Sequence, residues 1–127
     1  MSDEKPAVGQ ITWRDLTVPN AEHVRDFYCD VVGSAWTPHD LGEYDDYTIN
    51  LPDSGETVTG ICHARGPNAN LPAQWLMYIS DTDVGESARL CVEKGGEVLE
   101  GPRKMGTLDF CVIRDPAGAV AALISGE

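Results

Sequence analysis

Asp15 and Tyr78 are the side chains of this 127-residue chain whose types suit acid–base chemistry or ligand capture. A partly desolvated carboxylate serves as a general base or holds a cationic group, and a phenol donates to a carbonyl or acts as an acid. The two stand 63 positions apart, as do Thr17 and Ser80. Strand side chains alternate between faces, so Trp13, Asp15 and Thr17 share one face and Leu76, Tyr78 and Ser80 share another. The bland reading of Asp15 is a carboxylate satisfied by Tyr78, Thr17 or Arg14, because an unpaired inward charge is costly. Trp13 on that face would favour a planar or apolar ligand by stacking. Trp75, next to Leu76, turns instead toward the helices, and plain core packing is the alternative for both tryptophans.

Other chemistry finds fewer anchors. No GxGxxG after a strand, no Walker loop and no GxSxG elbow occurs, so dinucleotide, phosphate-loop and hydrolase readings lack their physical basis. His23 falls in a helix, His39 in a loop and His63 at a strand end, which suits surface or structural histidines better than metal ligands. The acids Asp40, Glu43, Asp45 and Asp46 read as a solvated loop. Cys29, Cys62, Cys91 and Cys111 show no CxxC spacing and fall inside helices or strands, where free Cys behaves as a small hydrophobe.

The elements that must position Asp15 and Tyr78 come in two copies. Shifting the numbering by 63 lays Asn20 on Asp83, Gly33 on Gly96, Gly55 on Gly118 and Leu16 on Ile79. The first copy reads as a strand Ile11 to Val18, a helix to about Val32, and two or three strands ending near Ala64. The second reads as a strand Gln74 to Ser80, a helix Val84 to Lys94, and strands near Glu97 to Glu100, Leu108 to Arg114 and Ala119 to Ile124. In the first helix Val24, Phe27, Tyr28, Val31 and Val32 follow a 3.6-residue period and should cover a sheet. Asn20 is placed to cap it and Gly33 to end it. Asp83 with Glu86 resembles a capping box, Gly95-Gly96 stops the second helix, and Asp115-Pro116-Ala117-Gly118 marks a hairpin turn. Arg103 and Met105 fall in the connection before Leu108, either closing over a pocket or facing solvent.

A chain of this length, 42% hydrophobic, fits one ordered domain spanning residues 1–127, with modules at about 9–65 and 73–125. The first eight or so residues read as frayed. A formal charge of −12 and a pI near 4.4 disfavour nucleic acid and anionic membrane as partners. No stretch reaches the apolar length of a membrane span, and the polar start Met1-Ser-Asp-Glu-Lys lacks a secretory signal's apolar segment, so the expected location is the cytoplasm.

Asp15-Leu16-Thr17-Val18-Pro19-Asn20, Phe27-Tyr28, Val32-Gly33 and Asp115-Pro116-Ala117-Gly118 together resemble the vicinal oxygen chelate superfamily of glyoxalases, bleomycin resistance proteins and ring-cleaving dioxygenases. The resemblance runs from Ile11 to Ile124. It implies an α+β fold of two tandem βαβββ modules whose strongly curved mixed sheets form a cleft, commonly in dimers; no patch in this sequence demands a homodimer. In the family's metalloenzymes four ligands come from the first and last strands of the modules, and a divalent ion acts as Lewis acid. Carried over, those positions are Trp13, Thr59, Leu76 and Ala122. A one-residue shift selects Thr12, Arg14, Val58, Gly60, Trp75, Met77, Ala121 or Leu123, none of them a carboxylate, imidazole or thiolate. The expectation is therefore a metal-independent protein without cofactor that sequesters or senses a small organic molecule in the cleft, lined by Trp13, Asp15, Thr17, Tyr78 and Ser80. The alternatives are a lyase, isomerase or dioxygenase-type enzyme using Asp15 and Tyr78 or a non-family metal site, and an interaction subunit that keeps only the fold.

Overall fold

The computed structural model describes residues 6–126. Of the first eight residues, expected to be frayed, 1–5, which form the polar start, lie outside the described residues. From Ala7 the chain turns, with the Gln10 amide N–H donating to the Ala7 carbonyl at 3.0 Å and the Ala7 N–H to Gln10 Oε1 at 3.0 Å. Two compact units follow, one being Arg14–Trp75 and the other Leu76 onward with the chain up to Trp13.

The first unit holds most of β1 (Ile11–Val18), α1 (Ala21–Val32), β2 (Ala35–Asp40), β3 (Asp45–Asn50) and β4 (Thr57–His63). Its strands run in the order β2-β3-β4-β1, with β1 parallel to β4 and the other pairs antiparallel. Alternation along β1 and β3 sends Leu16, Val18, Tyr47 and Ile49 to one face, where with Ile61 and Ala21 they form a core that Val24 and Tyr28 of α1 cover. The helix does less than its periodicity predicts, because Phe27, Val31 and Val32 stay exposed. Phe27 and Val31 each follow a core residue by three positions, which turns them about 60° away from the covered stripe. Val32 occupies the last turn. Trp75 faces the helix as expected, its indole N–H donating to Tyr28 Oη at 3.2 Å.

Two local expectations change here. Asn20 makes no side-chain cap; its backbone carbonyl accepts the Val24 N–H at 3.1 Å instead. His39 sits in β2 and not in a loop, since residues 35–40 pair along β3 from Ala35↔Asn50 to Asp40↔Asp45. Gly33 ends the helix in the left-handed conformation, its N–H donating to Cys29 O at 2.9 Å.

The second unit repeats the order with β5 (Trp75–Ser80), α2 (Val84–Glu93), β6 (Glu97–Met105), β7 (Leu108–Arg114) and β8 (Val120–Ser125). The strand order is β5-β8-β7-β6, again with the first and last strands parallel. Val84 and Ala88 of α2 pack on Cys111 and Leu123, joined by Ile79, Val98 and Ile113. Asp83 caps α2 by accepting the Glu86 N–H at 3.1 Å, but Glu86 pairs with Arg89 at 2.6 Å and does not reach back to close a capping box. The Asp115 carboxylate accepts the Ala117 and Ala119 N–H groups at 2.8 and 3.0 Å, which holds the β7–β8 turn that the Asp-Pro-x-Gly sequence predicts. Strand β6 runs past Glu100 to take in Arg103 and Met105, in place of the connection expected there. The result is an α+β fold of two βαβββ modules. Among the described residues, no helix is long and apolar enough to cross a membrane.

Candidate functional site

Because α1 covers Leu16 and Val18, alternation puts Asp15 and Thr17 on the opposite, helix-free face of the first sheet. The register brings Gly60 beside Asp15 and Cys62 beside Thr17, and sets Thr48 across from Gly60. Beyond Gly60 this face is largely polar. The Thr37 and Thr48 hydroxyls are hydrogen-bonded to each other. Asn50 Nδ2 donates to Thr37 Oγ1 at 3.3 Å, and Thr57 Oγ1 donates to Asn50 Oδ1 at 2.9 Å. Threonine suits this ladder, since its branched Cβ favours the strand while its hydroxyl bonds across it.

At one end of the face Asp46 works as a shared acceptor. Its Oδ1 takes the His63 backbone N–H at 2.9 Å and lies 3.2 Å from His63 Nδ1, while Tyr44 meets the imidazole edge-on at 5.6 Å. Cys62 sits between two acids: burial, then the charges of Asp15 and Asp46, push its thiol far above the ordinary range. Burial followed by the Asp81 charge pushes Cys111 up to about 11. Both thiols stay protonated in the folded chain at pH values where the unfolded chain releases their protons. With folded pKa values above the unfolded one, the stability they contribute is intact below the unfolded thiol pKa of about 8.5 and declines as pH rises above it, by up to about 1.4 kcal/mol per pH unit for each. Urea unfolding at pH 7.5 and 10 should show this fall, and the double variant Cys62→Ala, Cys111→Ala should flatten it; an equal slope in the variant would refute the assignment.

In the second unit α2 covers Ile79, Cys111 and Leu123, so Tyr78 and Ser80 lie on the helix-free face there, in line with Leu76. That face is apolar around them. The Tyr78 ring stacks on Phe110 with centroids 5.9 Å apart, and the Arg103 guanidinium lies 4.8 Å from the Phe110 centroid, held by Glu100 at 2.7 Å. Phe110, Val112, Ala122 and Ile124 complete it, all buried. Asp15 with Thr17, and Tyr78 with Ser80, thus each lie on the helix-free face of their own module, in very different surroundings. Trp13 is half-buried, two residues before Asp15 on β1.

Sequence reasoning missed Thr48, Asn50, Asp46 and Cys62 as members of the polar face. The alternation of Tyr47 and Ile49 with Thr48 and Asn50 carried a signal for two of them. The pairing of Asp46 with His63 depends on strand register and had none.

The positions that the family pattern assigns to a metal do not fit one. Leu76 and Ala122 are apolar and fully buried, Trp13 has no ligating atom, and Thr59, contrary to its expected place, pairs with Ile49 on the helix-covered face, with its Oγ1 donating to the Arg14 carbonyl at 2.6 Å. Among the described residues no group of three or more His, Cys, Asp or Glu side chains is arranged to hold a metal ion.

Comparison with known proteins supports the architecture. Methylmalonyl-CoA epimerase from Mycobacterium tuberculosis superposes with a TM-score of 0.54 at 13% identity, covering 94% of this chain and 89% of that one. A Streptomyces coelicolor methylmalonyl-CoA epimerase variant in complex with 2-nitronate-propionyl-CoA gives 0.53 at 14% identity, covering 94% and 99%. A protein from Staphylococcus aureus gives 0.53 at 17% identity, covering 93% and 99%. No curated protein matches the sequence. At these identities the likeness speaks for the fold, whereas the sequence profile of one family matches residues 8–123, nearly the whole chain. With its paired modules, parallel first and last strands and Asp-Pro-x-Gly turn, the chain belongs to the Glyoxalase/Bleomycin resistance protein/Dioxygenase superfamily.

Proposed function

We propose that this protein binds a small organic molecule without a metal ion, on the helix-free sheet faces that carry Asp15 and Thr17 in one module and Tyr78 and Ser80 in the other. The observation that carries the reading is the contrast between those faces. One carries Asp15 and, on the strands beyond Gly60, a ladder of hydroxyl and amide groups. The other is apolar, with Tyr78 stacked on Phe110 and both rings buried. A cationic or N–H donor group suits the first face, with Asp15 taking it, and an apolar or aromatic group suits the second, beside Tyr78. The epimerase neighbours include one solved with methylmalonyl-CoA. A CoA ester is polyanionic, and a chain of charge −12 with carboxylates on this face would repel it, so that ligand is not transferred. Four free thiols suit a reducing compartment, which supports a cytoplasmic location.

Purified protein should contain no stoichiometric manganese, nickel or zinc by elemental analysis, and none of these ions should raise its melting midpoint. A panel of arylalkylamines should stabilise it where the matching neutral amides do not. Asp15→Asn should weaken amine binding by at least about tenfold while leaving the melting midpoint nearly unchanged. Stoichiometric metal with a raised midpoint, or amine binding indifferent to Asp15→Asn, would overturn the reading.

A further inference from the structure

On the far side of the second module, two adjoining depressions lie where the end of α2 meets the β7–β8 turn. The first, of about 300 Å³, is lined by Leu90, Ile113 and Pro116 with the Cys91 thiol, and its wall is almost entirely apolar. The second, of about 340 Å³, is polar and carries Glu97, Arg114 and Asp115. They share Gly96, Asp115 and Pro116, so they form one continuous groove.

The shared wall has a sequence cause. A Cβ at position 96 would lie 2.6 Å from Cys91 Sγ and 2.8 Å from the Arg114 carbonyl oxygen, so only glycine lets the helix end and β7 approach this closely. The charges are mixed and fixed in place. Arg114 Nη1 lies 2.6 Å from Glu97 Oε1 with both side chains largely exposed, a pairing that a ligand's charges can replace at little cost. Asp115 is held by the Ala117 and Ala119 amides. Lys94 and Arg114 supply two cations, and Glu97 and Asp115 two anions, beside the apolar hollow, a mixed set that suits a zwitterion better than an anion or a cation alone.

We propose that this groove binds a free α-amino acid with an apolar side chain. Its carboxylate is taken by Arg114, its ammonium by Glu97 and Asp115, and its side chain by the hollow of Leu90, Ile113 and Pro116. The groove lies on the helix side of the module, away from Tyr78, so the inference stands independently of the ligand proposed above.

The test is an amide-resolved NMR titration of the full chain with L-leucine. Its comparators are 4-methylpentanoate, which lacks the ammonium, 3-methylbutylamine, which lacks the carboxylate, and glycine, which lacks the side chain. Leucine should give saturable shifts at Gly95, Gly96, Glu97 and Ala117 to Ala119 below about 20 mM, with each comparator at least about tenfold weaker. Arg114→Gln and, separately, Glu97→Gln should each weaken leucine by about tenfold or more, with an unchanged spectrum elsewhere showing that the fold is intact. Absence of saturation, equal affinity for leucine and 4-methylpentanoate, or shifts confined to other surfaces would overturn the proposal.

Discussion

Gly101→Ala is expected to destabilise the protein by about 3 kcal/mol, lowering the urea midpoint by about 1.5–2 M. Two independent costs add. Gly101 has φ +82, a conformation that L side chains rarely adopt. A Cβ there would also sit 2.6 Å from the Phe110 carbonyl oxygen and 3.2 Å from Cys111 Cα, both backbone atoms of the neighbouring strand that cannot rotate away. The position is built into a bulge: Glu100 pairs with Val112 and Arg103 with Phe110, so Gly101 and Pro102 together oppose Cys111 alone. That irregularity brings Arg103 over the Phe110 ring and within 2.7 Å of Glu100. The variant should therefore also disturb Arg103, visible as a change in the Phe110 ring resonances. A midpoint shift below about 0.5 M would show that the bulge relaxes around a methyl group, contrary to this account.

Ala122→Glu is expected to cost about 4 kcal/mol at pH 7, and divalent ions should not restore the loss. Ala122 is fully buried, paired in register with Tyr78 on one side and Val112 on the other. A carboxylate there loses water among Tyr78, Val112 and Phe110, so its pKa rises and the folded chain holds a proton that the unfolded chain releases above about pH 4.3. With the folded value above the unfolded one, the penalty grows as pH rises through that window. It should be smaller at pH 4 than at pH 7 in urea unfolding. The substitution restores a ligand type at one position of the family's metal pattern. Leu76 and Trp13 still offer nothing, and Thr59 is occupied by the Arg14 carbonyl. Recovery of the melting midpoint by manganese or nickel would show that other groups complete a site, and would remove the metal-independent reading.

Where local chemistry decides conformation, the structure follows the residues closely. Strands Ile11–Val18 and Leu108–Arg114 form with the bounds that their sequences predict, and the Asp115 turn forms as its Asp-Pro-x-Gly sequence requires. Where a partner decides, it departs from them. Phe27 and Val31 satisfy the helical period of α1 but project past the sheet, because periodicity cannot tell how wide a surface the sheet presents. Arg103 reads as loop, since the Gly101-Pro102 pair looks like a stop until β7 pairs on both sides of it. Asn20 has the composition of a cap, yet its side chain makes no cap bond.

By itself the sequence determined the duplicated βαβββ order, the strand faces that carry Asp15, Thr17, Tyr78 and Ser80, and the lack of ligating atoms at Trp13, Leu76 and Ala122. All of these follow from residue type and from periods set by local backbone geometry. Only the tertiary structure decided that the face around Asp15 is a hydrogen-bonded ladder reaching Thr57, that Asp46 binds His63, and that Tyr78 lies on Phe110. Those contacts join residues 7 to 32 positions apart in the chain. They depend on strand register, which the pairing of whole strands sets and no local pattern encodes.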